Sequence, residues 1–438
     1  MKRNLKLIAT LILGSSLALI VTGCGGGPTA PKYTVPDAAE LPITGPAVPG
    51  EEQLDHNVTA LLKKWEVPGI TVAIAKNGKL ILAKGYGYSD LEAKTPMQPD
   101  TMSRIGSTSK MLTAVATLQL VEQGKLNLDT PFLDVLTDYS VPANGDRRIQ
   151  NITIRMLLQH SGGWDRTVSG DPIDRQSDMA KSLGVPSPAT CSDMIRYMMA
   201  KPLDFNPGAE FAYSNLGFCI LGRVVEKVSG EKYESYVRKH ILEAAGNHGM
   251  YVGTARQGMQ GPHETKYYDY PGAPYAQSVF PGEGAVPVQY GGYEMVGSYG
   301  GWVSSSIDLL RFMSALDGSR TTSPLSPEML KAMTANPNLP GIGPSVWYGF
   351  GVFVGPSPDA WFHGGSLPGG QTQLYKSSNG YIYAILSNSR TRDPNTFAPE
   401  MDAAVANALA SGIEGSSTDL FSMFPSPEPP AASLASAR

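Results

Sequence analysis

The segment STSKMLTAVATLQLVEQG, residues 107–124, contains no Pro and no Gly before its last position. Apolar side chains fall on nearly every face of a helix drawn through it, and Gly124 is of a residue type that commonly ends helices. The pattern therefore predicts a helix over residues 107–123. Because this helix has no wide polar face, we expect it to be largely buried.

Two polar residues at the start of this helix, Ser107 and Lys110, are three positions apart, which places their side chains on one face. A Lys in apolar surroundings is desolvated, and this lowers its pKa toward a neutral amine that can accept the proton of a Ser hydroxyl. The free N–H groups of a helix N-terminus can also stabilise an oxyanion. The pair is thus a candidate nucleophile and base, although the bare pattern more often reflects an N-terminal Ser and a Lys that extends to solvent.

Strand patterns occur toward both ends of the chain. The β-rich runs 69–75 and 80–85 enclose Asn77-Gly78, a pair that favours the type I′ turn of a hairpin. Further strands are predicted at 349–353, 371–376 and 381–387, and helices at 54–65, 154–159, 191–199, 216–228, 233–244, 306–316 and 398–409. We therefore expect an α/β fold in which both chain ends form an antiparallel sheet flanked by helices, with a mainly helical region inserted between them.

The predicted folded domain covers residues 51–411, with its sheet part at about 51–100 and 290–411 and its helical part at about 101–290. Residues 412–438 are rich in Ser, Pro and Ala, which predicts a disordered tail. Tyrosines concentrate between residues 267 and 299, a density that suits the mouth of a pocket and, equally, the packing of irregular loops.

The N-terminal residues indicate export. Three cationic residues precede an apolar run at 7–21 that is too short for an ordinary transmembrane helix, which is typical of a signal peptide, here residues 1–23. Its end resembles the bacterial lipoprotein signal, in which small residues precede a Cys, here Cys24, that receives lipid. The alternative is a plain signal or membrane anchor with an incidental Cys. Residues 24–50 are predicted to be a flexible tether, so the expected location is the bacterial cell envelope, with the domain outside the cytoplasm and held to a membrane by the lipid.

The charge of the chain and its cysteines limit which partners and which covalent bonds we expect. The formal net charge is -4 and no long run of one sign occurs, so we expect no nucleic-acid partner. Besides Cys24, the chain has Cys191 and Cys219, in a compartment that permits disulfides. They fit a bridge between two predicted helices and fit two buried thiols equally well.

Two further motifs follow in the chain. Tyr213-Ser214-Asn215 lies between a turn and an apolar helix, and His363-Gly364-Gly365 precedes the strand predicted at 371–376. With Ser107-Thr108-Ser109-Lys110, in this order, they resemble the three motifs of the serine β-lactamase and penicillin-binding protein superfamily, in its branch with class C β-lactamases, DD-peptidases and family VIII esterases. Further matches include LLQHSGG at 157–163 and Gly300-Gly301-Trp302, so the resemblance covers about residues 50–410.

This resemblance implies roles for single residues. Ser107 is the nucleophile and Lys110 its base. Tyr213 is a phenol of lowered pKa that shares proton transfer, and Asn215 supports Lys110 and the substrate. His363 belongs to the third catalytic motif, in which Gly364 and Gly365 line the cleft, and the N–H groups of Ser107 and Ser366 form the oxyanion hole. The family reaction needs neither metal nor cofactor.

The third motif departs from the Lys-Thr-Gly that is usual in the β-lactamases of this branch. A Lys suits a substrate carboxylate, whereas His363 is charged only partly near neutral pH, so efficient β-lactamase action is not expected. The resemblance favours an envelope-anchored serine hydrolase that cleaves a small ester, amide or peptide, of the esterase or D-amino-acid peptidase type. The alternatives are a β-lactamase and a non-catalytic penicillin-binding-like protein. His160 is interpreted as a structural brace at a helix end rather than a catalytic base.

Overall fold

The computed structural model describes residues 28–29, 32–261, 263–355 and 357–429. The strands, in chain order, are β1 (Ile43–Thr44), β2 (Gly69–Lys76), β3 (Lys79–Asp90), β4 (Thr95–Pro96), β5 (Ser103–Arg104), β6 (Tyr251–Val252), β7 (Tyr275–Gln277), β8 (Ala285–Pro287), β9 (Trp302–Ser304), β10 (Trp347–Tyr348), β11 (Phe353–Val354), β12 (Trp361–Leu367), β13 (Gly370–Lys376) and β14 (Tyr381–Ser387). The α-helices are α1 (Glu52–Trp65), α2 (Ser109–Glu122), α3 (Phe132–Val135), α4 (Ile154–Leu158), α5 (Gln176–Leu183), α6 (Cys191–Met198), α7 (Asn215–Ser229), α8 (Tyr233–Val237), α9 (Ser306–Leu316), α10 (Pro327–Thr334) and α11 (Pro394–Ser411).

Both ends of the chain form one antiparallel sheet, as the sequence predicts. Its strand order is β1-β3-β2-β14-β13-β12-β11-β10, with β4 paired to β3. The N-terminal hairpin joins the C-terminal strands where β2 pairs with β14, from Ile70 opposite Ser387 to Lys76 opposite Tyr381. The hairpin turn is at Asn77-Gly78, whose φ angles of 49° and 76° are those that a type I′ turn requires.

The central strands are buried on both faces because helices cover the sheet from two sides. β2 is buried from Gly69 to Ala75, and β14 from Ile382 to Ser387. Helices α1 and α11 pack on each other and on the sheet, while α9 packs against β2 and β14. This layered arrangement confirms the predicted α/β fold. Strand β12 contacts the 3₁₀ turn Gly106–Thr108, at the start of the helical region.

The helical region is organised around α2 and α7, which pack on each other. Helix α2 is buried from Ser109 to Leu118, in agreement with its uniformly apolar sequence. Cys191 of α6 and Cys219 of α7 form a disulfide with 5.6 Å between their Cα atoms, which settles the alternative left open by the sequence. The bridge ties α6 to the helix that begins at Asn215.

Several local predictions are wrong in detail. The third motif precedes the strand predicted at 371–376, which is β13, but it lies within a strand that was not predicted, β12, which pairs with β13 along its whole length. The predicted strand at 349–353 is mostly a turn between β10 and β11, in which Gly351 has a φ of +73°. The predicted helix at 233–244 becomes α8 followed by a π-helical turn, Arg238–Leu242, and a 3₁₀ turn, Glu243–Ala245.

The prediction of a free tether is wrong for residues 32–50. Val35, Leu41 and Val48 are buried, and β1 extends the sheet by pairing with β3. The Tyr33 hydroxyl donates a hydrogen bond to the carbonyl oxygen of Asp269 at 2.8 Å. Abundant Gly and Pro disfavour a helix, but they do not prevent an extended chain from burying regularly spaced apolar side chains against a domain.

The prediction of a disordered tail is likewise wrong for residues 412–429. Ile413, Leu420 and Phe421 are buried, and the Arg311 guanidinium donates to the carbonyl oxygen of Phe421 at 3.2 Å. Composition averages over the segment and so misses these few anchoring side chains. The predicted signal peptide, Cys24 and the last nine residues lie outside the described residues. Across the part of the chain that is described, no helix has the length and apolar character needed to cross a membrane.

Candidate active site

Ser107 stands at the centre of a tight turn immediately before α2. The turn is a 3₁₀ helix, Gly106–Thr108, in which Gly106 has a φ of +52°. From Met102 to Lys110, Ser107 is the one residue that is not fully buried. The Ser107 side chain is therefore partly exposed, while Lys110, in the first turn of α2, is buried next to it.

Lys110 is wholly buried and makes three close polar contacts. Its Nζ atom lies 3.0 Å from Ser107 Oγ, 2.7 Å from Asn215 Oδ1 and 2.6 Å from the carbonyl oxygen of Tyr299. Burial lowers the pKa of Lys110 well below its ordinary value, and the positive charge of Arg166 lowers it further. The expectation of a desolvated lysine thus agrees with this environment, which favours the neutral amine.

The proton arrangement at Lys110 follows from its neighbours. A neutral amine has two N–H bonds and one lone pair, and the oxygens of Asn215 and Tyr299 can only accept hydrogen bonds. Both N–H bonds are therefore directed at these two oxygens. In the structure Nζ donates to Ser107 Oγ; in the neutral amine the lone pair takes the place of that N–H bond and faces Ser107. Such an arrangement can remove the serine proton when the oxygen attacks a carbonyl carbon.

Tyr213 is partly exposed, lies two residues before α7 and is hydrogen-bonded to Ser107. Lys110 Nζ is 4.9 Å and the Arg166 guanidinium carbon 4.7 Å from the centre of its ring. Burial raises the pKa of Tyr213 above its ordinary value, and the hydrogen bond with Ser107 offsets only part of the rise. The expected lowering of this pKa is therefore wrong for the resting site. Tyr213 is a neutral phenol, suited to pass a proton rather than to remove one.

Asn215 is held between the side chains of Lys110 and Asp171 at the first position of α7. Its Oδ1 atom accepts from Lys110, and its Nδ2 atom donates to Asp171 Oδ2 at 2.7 Å. A carboxylate can only accept, so Asp171 fixes which end of the amide faces the lysine. The helix begins here because Ser214 caps it, accepting from the N–H of Gly217.

His160 supports the second motif from below, as the structural interpretation predicts. Its ring stacks on Tyr213 with 4.1 Å between centroids, and its Nδ1 atom accepts from the N–H of Ser214 at 3.1 Å. Burial lowers the pKa of His160 well below its ordinary value, with a further contribution from Lys110. The neutral ring therefore positions Tyr213 and Ser214 without facing the cleft.

His363 does not have the position that a catalytic role requires. It is 1% exposed, its Nδ1 atom donates to the carbonyl oxygen of Gly364 at 2.7 Å, and its Nε2 atom lies 3.1 Å from the Tyr348 hydroxyl. Burial lowers the pKa of His363 to about 3, and Lys110 contributes to the shift. The imidazole is thus neutral, accepts from Tyr348, and braces the edge of the sheet instead of contacting a substrate.

Gly364, Gly365 and Ser366 bring β12 against the turn that carries Ser107. A Cβ atom on Gly365 would lie 2.0 Å from the carbonyl oxygen of Ile105, so only glycine fits at this position. The backbone nitrogen of Ser366 lies 3.1 Å from the place that a Cβ on Gly106 would occupy. The structure therefore brings the Ser366 amide next to the turn that carries Ser107.

Two contributors to this geometry were not predicted. Asp171 comes from a 3₁₀ turn far from any motif, and its sequence signal, an Asp followed by Pro172, indicates only the start of a turn. Tyr299 contributes its carbonyl oxygen, for which side-chain patterns carry no information. Among the tyrosines of residues 267–299, Tyr267 and Tyr290 pack on Arg104, whose guanidinium carbon lies 3.9 Å and 5.9 Å from their ring centres, so loop packing accounts for these two.

An antiparallel sheet closed by both chain ends, an inserted helical region and three motifs meeting at one cleft define a member of the serine β-lactamase and penicillin-binding protein superfamily. The chain belongs to the Beta-lactamase family, whose model matches residues 54–409. This family is one of hydrolases and related penicillin-binding proteins.

The names of similar proteins point to different activities, and some name no activity. Protein flp of Staphylococcus aureus strain MW2 is 33% identical over 194 residues, which cover 44% of this chain and 36% of that protein, so the match spans about a third of this curated relative. The octameric penicillin-binding protein homologue from Pyrococcus abyssi has a TM-score of 0.63 at 27% identity, covering 81% of this chain and 77% of that one. EstCE1, a hydrolase with promiscuous acyltransferase activity, has a TM-score of 0.63 at 20% identity, covering 81% and 99%, and this likeness concerns the fold alone.

Proposed function

We propose that this chain is a serine hydrolase that forms an acyl-enzyme on Ser107 and cleaves an ester or an amide. One observation carries the proposal: the buried Lys110 Nζ lies 3.0 Å from Ser107 Oγ, and its two other partners can only accept, so the neutral amine has its lone pair for Ser107. A pure binding protein has no need of a buried, deprotonated lysine beside a hydroxyl.

The reaction follows from these protonation states. Lys110 takes the proton of Ser107 as the serine oxygen bonds to the carbonyl carbon, and the N–H groups of Ser107 and Ser366 stabilise the resulting oxyanion. Tyr213 then gives its phenolic proton to the departing oxygen or nitrogen and recovers a proton from Lys110. The acyl-enzyme is hydrolysed by the same steps in reverse. Water takes the place of the leaving group, its proton passes to Tyr213 and Lys110 and from there to the Ser107 oxygen, and the acyl group leaves as a carboxylic acid.

The third motif bears on the choice of substrate. His363 is neutral and buried, so β12 places no positive charge at the cleft, where a lysine would attract the carboxylate of a β-lactam. The proposal is accordingly for neutral acyl groups in esters or amides, of the esterase or D-amino-acid peptidase type. A β-lactamase and a non-catalytic penicillin-binding-like protein are the outcomes that would replace it.

A substrate panel tests the proposal. Hydrolysis of short p-nitrophenyl esters, a D-alanyl-D-alanine peptide and nitrocefin is measured with the wild-type chain and with Ser107→Ala. We expect ester or peptide turnover that falls at least about 10³-fold in Ser107→Ala, because the nucleophile is lost. Turnover confined to nitrocefin would make the chain a β-lactamase, and no turnover of any substrate would favour a binding protein.

We also propose that the chain is anchored in the bacterial envelope by lipid on Cys24. Its support is the sequence from the cationic start to Cys24, together with the docking of residues 32–50 on the domain. Lys32 is eight positions after Cys24, a reach of at most about 28 Å, so the lipid would hold the domain close to the membrane. Cys24→Ala should move the exported protein from the membrane fraction to the soluble fraction; unchanged partitioning would contradict the anchor.

A further inference from the structure

Asp171 is outside the three motifs, yet its carboxylate is buried and contacts the second of them. It is 9% exposed, and its Oδ2 atom accepts from Asn215 Nδ2 at 2.7 Å. Its Oδ1 atom accepts from the N–H of Ile173 and so caps the 3₁₀ turn Pro172–Arg175. Arg166 Nη1 lies 3.8 Å from Oδ2. The carboxylate is thus fixed by its own turn and by a cation before it meets the amide.

We propose that Asp171 is a positioning residue that directs the lone pair of Lys110 at Ser107 by fixing the amide of Asn215. The inference rests on the proposed function, since it assigns a role within the acylation of Ser107. It follows from what each atom can donate. The two ends of a primary amide have nearly the same shape, so shape alone does not orient Asn215.

Reversal of the amide would misdirect the lysine. With Nδ2 turned toward Lys110, the amine would have to accept a hydrogen bond, and its lone pair would then face Asn215 instead of Ser107. A carboxylate at position 171 prevents this reversal, because two acceptor oxygens would then oppose each other in a buried place. Because Asp171 can only accept hydrogen bonds, it fixes the orientation of the Asn215 amide, and that amide in turn orients Lys110.

Asp171 also contributes its charge. Lys110 becomes an ammonium ion when it takes the serine proton, and a nearby carboxylate stabilises that ion. The titratable or charged groups around Lys110 are Arg166, Asp171, His160, Tyr213, Tyr299 and His363. Among them Asp171 raises the lysine pKa and Arg166 lowers it. Loss of the carboxylate should therefore lower the Lys110 pKa and move the acid limb of the acylation profile to lower pH.

The test measures the second-order rate constant for acylation of Ser107 by a fluorophosphonate between pH 5 and 10, with the full chain. Asp171→Ala should acylate about 10- to 100-fold more slowly at every pH, because the base is misdirected. The isosteric Asp171→Asn, which can still accept from Asn215 in one of its two orientations, should be slowed less, with its acid limb moved down by about half a pH unit or more. Asp178→Asn, at an exposed position of α5, is the control and should match the wild type.

A double variant separates orientation from stability. In Asp171→Ala combined with Asn215→Asp, residue 215 can only accept, so Lys110 should again direct its lone pair at Ser107. We expect this protein to acylate at least about tenfold faster than Asp171→Ala alone, with its acid limb at higher pH than in the wild type. A purely structural role for Asp171 predicts no such recovery.

The outcomes are distinct. If the wild-type chain is not labelled on Ser107, the proposed function fails. If it is labelled and Asp171→Ala reacts as fast, or the double variant is no faster than Asp171→Ala, only the role of Asp171 fails. Should Asp171→Ala not fold, Asp171→Asn decides, and an unchanged rate and pH profile in that variant would overturn the inference.

Discussion

Lys110 and His363 are enclosed between the helical region and the sheet, and each loses the solvation that its charged form needs. For Lys110 burial lowers the pKa well below its ordinary value and so favours the neutral amine. For His363 the outcome is a neutral ring that accepts from Tyr348 and donates to the backbone of Gly364. At the scale of single residues, burial thus determines which groups of the site carry protons at neutral pH.

The titration of His363 leads to a prediction for stability. The unfolded chain protonates this histidine below about pH 6.5, whereas the folded chain does so only near its pKa of about 3. The unfolded state therefore binds more protons between these values, and the stability present above pH 6.5 is lost as pH falls. Going from pH 7 to pH 5 should lower the free energy of unfolding by about 2 kcal/mol through His363 alone.

Urea unfolding at pH 7 and pH 5 measures this contribution. In His363→Gln the difference in free energy between the two pH values should be smaller than in the wild type by about 2 kcal/mol, because the titrating group is gone. The exposed His56→Gln serves as the control and should keep the wild-type difference. An unchanged difference in His363→Gln would show that this histidine is not buried in its neutral form.

At the scale of elements, the site depends on the approach of β12 to the 3₁₀ turn that carries Ser107. Three elements distant in sequence meet there: the turn, the start of α7 and β12. The approach is possible because Gly365 has no side chain where the Ile105 carbonyl oxygen lies. In the proposed mechanism, the spacing between strand and turn determines where the amides of Ser107 and Ser366 meet a substrate oxygen.

Gly365→Ala should therefore remove activity. A methyl group 2.0 Å from the Ile105 oxygen forces β12 away from the turn, and a shift of about 1 Å in an oxyanion site costs about 10²-fold in kcat. Gly284→Ala is the matched control, because a Cβ there has nothing within 4 Å. Hydrolysis rates and circular dichroism would be compared for both variants, and a fully active Gly365→Ala would contradict the close approach.

The sequence predicted the elements better than their contacts. The Asn77-Gly78 turn, the apolar helix after Ser107 and the pairing of Ser107 with Lys110 depend on short-range spacing, so they could be predicted. Asp171 and the Tyr299 carbonyl reach the site through tertiary folding, and no local pattern marks them. The lowered pKa expected for Tyr213 was wrong for a related reason, since burial and hydrogen bonding exist only in the folded chain.

At the scale of the whole molecule, both ends of the described chain are fastened to the domain. Residues 32–50 add β1 to one edge of the sheet, and residues 412–429 pack Leu420 and Phe421 beside Arg311. Both segments have the composition of linkers, yet a few buried apolar side chains in each provide enough contact to order them. The domain is thus larger at both ends than composition predicts.

The packing of the N-terminal segment can be measured with two neighbouring substitutions. Leu41 is 6% exposed and Ile43 is 41% exposed. Leu41→Ala should lower the free energy of unfolding by about 2–3 kcal/mol, because it removes buried methyl groups, whereas Ile43→Ala should change it by less than about 1 kcal/mol. Equal and small effects in urea unfolding would mean that residues 32–50 are a free tether after all.

The central claim, that Ser107 is a nucleophile activated by Lys110, is tested most directly by locating a covalent adduct. The purified chain is treated with a fluorophosphonate, digested, and analysed by mass spectrometry, alongside Ser107→Ala and Lys110→Met. The account predicts a single adduct on the peptide that contains Ser107, none in Ser107→Ala, and labelling slowed by at least about 10²-fold in Lys110→Met. Equal labelling of all three proteins, or an adduct on another residue, would contradict it.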